Sequence, residues 1–424
     1  MKFFHLADLH FGKQLGGISL SEPGGSQEAW CRQCLAAVEA ERPDCVLIAG
    51  DVFDRSQPSA EARKLASDFL TALAEKTRVL MIAGNHDSGE NVSYLSGLLS
   101  RQGLYAAGAV SRGLPRVTLT DEYGPVHFWL LPYFFPTQVK ETLDLPELRT
   151  YTEAAAALLS AQEIDEEARN VLLAHQFVTA GEKEPERGGS ETAVGGVGQI
   201  DAAAAGFGIF DYVALGHIHR AQHVGRAEIR YAGAPLCYHF SEAGETDEGN
   251  ARLGILEVTL GRKGESAATR RIAMPPLHPL RTIRGQLSDI LAASEKEERR
   301  GEYLRILLTD EIVPTDARPR LCATFAEKGS RVLEAQRVFE GRRTAEEERG
   351  APLEERPLIE SFFAYYADQY PERPMDEEEQ RLSMEAARIL EEAGGAFGSE
   401  NALEEAACRL ADAAAFSARE EVLS

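Results

Sequence analysis

The sequence predicts an α/β fold built around parallel sheet, and three observations carry that prediction. Short apolar runs recur through the first 275 residues, stretches with helical spacing separate them, and five of the runs end in His, Asp or Asn. A strand, helix, strand order requires parallel pairing through crossover connections. Open α/β sheets bind ligands where the carboxyl ends of their strands emerge.

Taken in order, Met1 to Leu6 is the first run and leads into Ala7-Asp8-Leu9-His10. Glu28 to Glu41 has helical spacing. Cys45 to Ala49 is uncharged, as suits a strand buried on both faces, and delivers Gly50-Asp51-Val52-Phe53-Asp54. Ser59 to Lys76 is helical, with Leu65, Phe69, Leu70 and Leu73 on one face. Val79 to Ala83 leads into Gly84-Asn85-His86-Asp87. Val117 to Leu119 and Val126 to Leu131 are expected as strands around a turn at Asp121 to Gly124. Val171 to Ala174 leads into His175, and Tyr212 to Leu215 into Gly216-His217-Ile218-His219. Between these last two, Gly181 to Gly198 is rich in Gly and Glu and predicts a surface loop beside His175 and His217.

At Met274-Pro275-Pro276 the pattern changes. Leu280 to Ile283, Leu304 to Leu308 and Arg331 to Ala335 predict strands, with helices at Leu287 to Glu297 and Thr315 to Lys328. Residues 1–275 are therefore one expected domain and 276–338 a second, small α+β unit. Residues 339–356 are dense in Arg and Glu and predict a linker. Residues 357–424 predict helices. Leu358, Phe362, Tyr366 and Tyr370 repeat every four residues with Phe363 beside them, a broad aromatic face suited either to packing among these helices or to docking on another chain.

Composition narrows the function. With 44% hydrophobic and 27% charged residues over 424 positions, the expectation is a soluble chain of two or more domains. Apolar runs stay short of the about 18 residues that span a bilayer. The first residues run straight into Asp8, so a removable leader is not expected, and a cytoplasmic location follows. The net charge of −23 argues against coating nucleic acid over the whole surface. Lys13, Arg55, Arg101, Arg112, Arg220 and Arg226 nevertheless fall within or after the loops named above. Cys31 and Cys34 form a CxxC within a helical stretch, and without a second pair they are expected as two small core residues.

Asp8 with His10, and His217 with His219, are spaced two apart, which on extended chain points both side chains one way. Carboxylate oxygen mixed with imidazole nitrogen suits first-row divalent ions. Asp8, His10, Asp51, Asn85, His175, His217 and His219 are too many donors for one ion, whereas two ions sharing Asp51 would use them all. Two ions about 3.5 to 4 Å apart can acidify a water and clamp a phosphoryl group. His86, next to Asn85, is then the candidate acid that protonates the departing oxygen, with Asp87 expected to orient it. His5, His127, His223, His239 and His278 lack such company and are expected to be structural.

These five blocks resemble the signatures of the calcineurin-like metallophosphoesterases. Leu172-Leu173-Ala174-His175-Gln176-Phe177-Val178, Val197-Gly198-Gln199-Ile200-Asp201 and Ala214-Leu215-Gly216-His217-Ile218-His219-Arg220 are similar, more narrowly, to the SbcD nuclease-subunit family. The resemblance implies a sandwich of sheets flanked by helices, a small capping domain and a helical carboxy-terminal segment. It implies two manganese ions, one held by Asp8, His10, Asp51 and His219, the other by Asp51, Asn85, His175 and His217. It further implies a homodimer within a heterotetramer, an SbcC-type ATPase docked on the helices after 357, and action on DNA ends from the 3′ side and on hairpins. Lys13, Arg55, Arg101 and Arg220 are the cations expected to touch DNA. Leu9 stands where that family commonly has Trp, and Arg55 where it commonly has Thr. The competing readings are a phosphomonoesterase on the same scaffold and a non-catalytic ATPase scaffold.

Overall fold

The computed structural model describes residues 1–338 except 95, 182, 189–197 and 245–247, together with Gln380. The chain divides between Arg342 and Arg343. The expected linker at 339–356 and the aromatic face of Leu358, Phe362, Phe363, Tyr366 and Tyr370 lie outside the described residues.

Two six-stranded sheets carry the first 275 residues. In the first, Lys2–Leu6, Cys45–Ala49, Arg78–Ile82 and Leu104–Ala107 pair parallel in that order. Gly254–Thr259 and Ala268–Ala273 extend it antiparallel beside Lys2–Leu6. In the second, Arg226–Tyr231, Tyr212–Gly216, Arg169–His175 and Gly124–Leu131 are parallel neighbours, with antiparallel edges at Gln222–Val224 and Arg116–Asp121. The central strands are buried on both faces, hence their unbroken apolar runs.

Alternation along each strand splits those runs between two layers. Phe3, Leu47, Leu80, Ile82, Phe128, Leu130, Leu173 and Tyr212 form one core. On the opposite faces, Phe4, Val46, Ile48 and Met81 pack with Trp30, Cys34, Phe69 and Leu73 from helices Ser26–Glu41 and Ala60–Ala74. Trp129, Leu172, Val213 and Leu215 pack with Ala154 and Leu158 of helix Tyr151–Ser160. Cys31 and Cys34 are buried on their helix, as expected of core residues. Ser59 caps its helix by accepting from the Ala62 N–H at 3.2 Å, and Thr150 with Glu153 makes a capping box.

The segment after Pro276 alternates strand and helix. Leu280–Gly285, Tyr303–Leu308 and Arg331–Arg337 form a parallel three-stranded sheet, crossed by helices Leu287–Lys296 and Ala317–Ala326. Leu280, Tyr303 and Leu333 share a core with Leu15 and Phe240 of the larger part, which seats the small unit on it. Among the described residues no helix is long and apolar enough to cross a membrane.

His5 joins the two sheets. Its Nε2 lies 3.2 Å from the Leu215 carbonyl, which can only accept, so Nδ1 takes the hydroxyl proton of Tyr212 at 3.0 Å. Burial, opposed by the Leu215 bond and aided by the charge of Arg230, pushes the His5 pKa down to about 3. An unfolded-state histidine titrates near 6.5. Below that pH the unfolded chain gains a proton that the folded chain refuses, so stability falls as pH drops from 6.5 toward 3. Between pH 7.5 and 5 this one group accounts for about 2 kcal/mol. Urea denaturation at both pH values is expected to show a loss smaller by about that amount in His5→Gln than in the parent chain; equal losses would absolve His5.

Candidate metal centre

The carboxyl ends of the strands from both sheets meet at one edge, and the backbone there is unusual. Asp8 (φ 55°), His10 (φ 44°), Asp51 (φ 50°) and His217 (φ 99°) all lie in the left-handed region. That conformation costs a non-glycine residue on the order of 1 kcal/mol or more and persists only where neighbours enforce it. The two loops after Leu6 and Ala49 are zipped together: Asp8 N–H donates to the Gly50 carbonyl at 3.0 Å, His10 N–H to Asp51 at 3.0 Å and Phe11 N–H to Val52 at 2.9 Å. Tyr238 donates its hydroxyl proton to the Leu9 carbonyl at 2.6 Å, and Gln27 Nε2 donates to the His10 carbonyl at 2.7 Å. Gly84 is required by contact, because a Cβ there would sit 2.1 Å from Asp51 Oδ1.

The seven predicted donors converge. Asp51 Oδ1 accepts the His86 backbone N–H at 2.9 Å, and Oδ2 lies 3.5 Å from His10 Nε2 and 3.4 Å from His175 Nε2. On one side His10 Nε2 is 3.2 Å from His219 Nε2, and Asp8 offers an oxygen within 4.8 Å of both rings. On the other, Asn85 Oδ1 lies 3.1 Å from His175 Nε2 and 2.9 Å from His217 Nδ1. Asp51 therefore stands between two clusters of donors.

These residues fit divalent metal. Asp8 is fully buried; its Oδ1 accepts the His217 N–H at 2.9 Å, while Oδ2 has no hydrogen-bond partner. Burial pushes the Asp8 carboxyl above its ordinary value against the pull of His175 and His219; a cation at Oδ2 would offset that cost. Burial pushes His10 down and His217 down to about 3, leaving both as the neutral imidazoles that bind metal. Asp51 is buried too, yet His175, His10 and His86 hold its carboxyl well below the usual range. Asp51 and Asp8 in turn raise His175 to about 9 in spite of its burial.

Behind the donors, a second set of groups fixes the rings. His175 Nδ1 is held by the Ala49 carbonyl at 2.7 Å and His219 Nδ1 by Glu242 Oε1 at 2.9 Å, which leaves each Nε2 facing the site. Sequence spacing did not reveal Glu242, Tyr238 or Gln27, whose roles arise from contacts remote along the chain. Asp54, present in the quoted motif, proves doubly used. Its carboxylate meets Lys13 Nζ at 2.9 Å and His10 Nδ1 at 3.5 Å, and its carbonyl is 2.8 Å from His86 Nδ1.

That last contact corrects the expectation for Asp87. The Asp87 carboxylate accepts the backbone N–H groups of Val52, Phe53 and Gly84 at 3.1, 2.9 and 2.9 Å, stapling the Asp51 loop to the Asn85 loop. Neighbouring side chains on a tight turn diverge, so His86 is oriented by the Asp54 carbonyl instead. The predicted cations also separate. Arg55 is exposed at the loop tip, 3.8 Å from Asp54, and Arg220 pairs with Glu186 at 2.8 Å. Arg101 sits in the turn before Leu104–Ala107, next to the amino end of Arg78–Ile82, and so at the opposite end of the sheet from the site. Arg112 and Arg226 are spent on the carbonyls of Leu143 and Gly208.

Residues 1–221 match the family model of the calcineurin-like phosphoesterases, and residues 276–370 that of a domain described as the type 5 capsule protein repressor C-terminal domain. The SbcD subunit of the SbcCD nuclease of Staphylococcus epidermidis is 30% identical over 326 residues, covering 76% of this chain and 82% of that protein. Among solved structures, Plasmodium GAP50 aligns at 12% identity and TM-score 0.36 over 81% of this chain and 99% of its own. A dimetal phosphatase from Danio rerio aligns at 13% and 0.34 over 64% and 98%. At such scores nothing further rests on the solved structures. The two family models and the relative together establish that this chain belongs to the calcineurin-like phosphoesterases, in the family of the SbcD nuclease subunits.

Proposed function

We propose that this chain is a DNA nuclease subunit that hydrolyses phosphodiester bonds at DNA ends, from the 3′ side, and at hairpins, in partnership with an SbcC-type ATPase. Membership of the family implies divalent metal ions; the mixed oxygen and nitrogen donor set supports manganese. The observation that carries the proposal is the gathering of six further donors in two clusters either side of Asp51. When bound, the ions supply Lewis acidity, neutralising phosphate charge and lowering the pKa of the attacking water.

The residues divide the remaining work. Asp8, His10, Asp51 and His219 would hold one ion, and Asp51, Asn85, His175 and His217 the other. His86, anchored through Nδ1 on the Asp54 carbonyl, has Nε2 left to carry a proton to the departing oxygen. Asp54 also places the Lys13 charge next to His10. The small domain at 276–338 is assigned to capping, residues 339–356 and 357–424, which the sequence leads one to expect as a linker and helices, to docking the ATPase, and the active form to a homodimer within a heterotetramer.

Purified chain with manganese is expected to shorten end-labelled duplex DNA. Asp51→Ala should lose both bound metal and cleavage, whereas His86→Ala should keep its metal and lose about 10²- to 10⁴-fold in kcat. Cleavage surviving in Asp51→Ala, or hydrolysis of phosphomonoesters alone by the parent chain, would refute the assignment. Deleting 357–424 is expected to spare cleavage by the isolated subunit and to abolish capture of the ATPase in a pull-down. Undiminished capture would place docking elsewhere.

A further inference from the structure

The metal centre and the small unit at 276–338 meet through one short stretch of chain. Residues Phe240–Ala243 form a single helical turn that packs against strand Leu280–Gly285 of the small unit. The Phe240 ring is buried in the core that also takes in Leu280, Tyr303 and Leu333. The guanidinium of Arg305, on strand Tyr303–Leu308, lies over that ring, 5.2 Å from its centroid. Arg305 Nε in turn donates to Thr282 Oγ1 at 3.2 Å, so the group that clamps Phe240 is fixed within the small unit.

Two residues on, Glu242 reaches the metal centre. Its Oε1 accepts the His219 Nδ1 proton at 2.9 Å and its Oε2 the Tyr238 N–H at 2.6 Å, and the His219 and Glu242 side chains are each only 7% exposed. Tyr238 adds a second hold. Its ring stands edge-on to His10 and His219, at 5.3 and 5.6 Å, and its hydroxyl donates to the Leu9 carbonyl at 2.6 Å. A buried carboxylate behind a ligating imidazole fixes the ring and its tautomer, and raises the basicity of the nitrogen that faces the metal. The opposite side of the centre is held otherwise: His175 rests on the Ala49 carbonyl of the first sheet.

Resting on the two-ion centre proposed above, we propose that the turn at Phe240–Ala243 is a positioning element that makes the small unit part of the metal centre. Glu242 sets the His219 imidazole, and Phe240, clamped by Arg305, sets Glu242. The seat of the small unit therefore fixes how firmly the ion beside Asp8, His10 and His219 is held. The ion beside Asn85, His175 and His217 is left alone. Glu242 and Phe240 are positioning residues, and both act through His219.

Manganese binding by the metal-stripped full chain, read by isothermal titration calorimetry and electron paramagnetic resonance, tests this independently of activity. In Glu242→Ala one of the two ions is expected to lose about 10- to 100-fold in affinity while the other keeps its parental value. Glu242→Gln, which can still accept from Nδ1, should recover part of that loss. Phe240→Leu and Arg305→Met, remote from the donors, should weaken the same ion about fivefold. In a His219→Ala background none of these changes should weaken manganese binding further. Variants that melt at a lower temperature yet bind both ions as the parent does would reduce the turn to a structural support, and the positioning role falls while the two-ion centre stands. Losses that persist in full without His219, or that fall equally on both ions, would overturn the proposal as well. A parent chain that takes up fewer than two ions overturns the two-ion centre and the positioning role together.

Discussion

Everything at this site depends on the placement of one carboxylate. Asp51 leaves the Cys45–Ala49 strand through a left-handed backbone position, and its two oxygens serve different ends. Oδ1 is fixed by the His86 N–H, which ties the loop bearing the proposed acid to the loop bearing the proposed bridge. Oδ2 faces His10 from the first sheet and His175 from the second. The space for Asp51 exists because residue 84 has no side chain, and its loop is held by the Asp87 carboxylate. Asp87 thus matters to the chemistry by holding Asp51 in place.

The packing of the two sheets supplies the second constraint. His175 belongs to one sheet and bonds the Ala49 carbonyl of the other, and His5 makes the reciprocal link to Tyr212 and Leu215. A candidate ligand and a core histidine thereby fix the same register between layers. Strain in the loops at Asp8, His10 and His217 is sustained by this rigid frame. The frame sets donor spacing, and the donors set which ions fit.

Much of this was legible in the sequence, for identifiable reasons. Buried parallel strands read as plain apolar runs, and the side chains gathered at their carboxyl ends lie within four residues of them, so the seven candidate donors and His86 stand out by position. Gly254–Thr259 and Ala268–Ala273 were not foreseen as strands, since the second is largely exposed and its Thr269-Arg270-Arg271 lacks an apolar face. Glu242 and Tyr238 are invisible for another reason: they act on His219 and on the Leu9 carbonyl from a separate stretch of chain, and no spacing rule connects them. Cations were the least legible. Lys13 and Arg101 stand near motifs in sequence, but one is bound to Asp54 and the other lies at the far end of the sheet.

Asp51 is proposed to bridge two ions held by the flanking donor sets. Manganese titration of the metal-stripped full chain, followed by electron paramagnetic resonance and metal analysis, tests it directly. Two ions per chain with the spectrum of an exchange-coupled pair are expected, since a shared carboxylate would hold them about 3.5 to 4 Å apart. A single ion per chain, or two with uncoupled spectra, would contradict it.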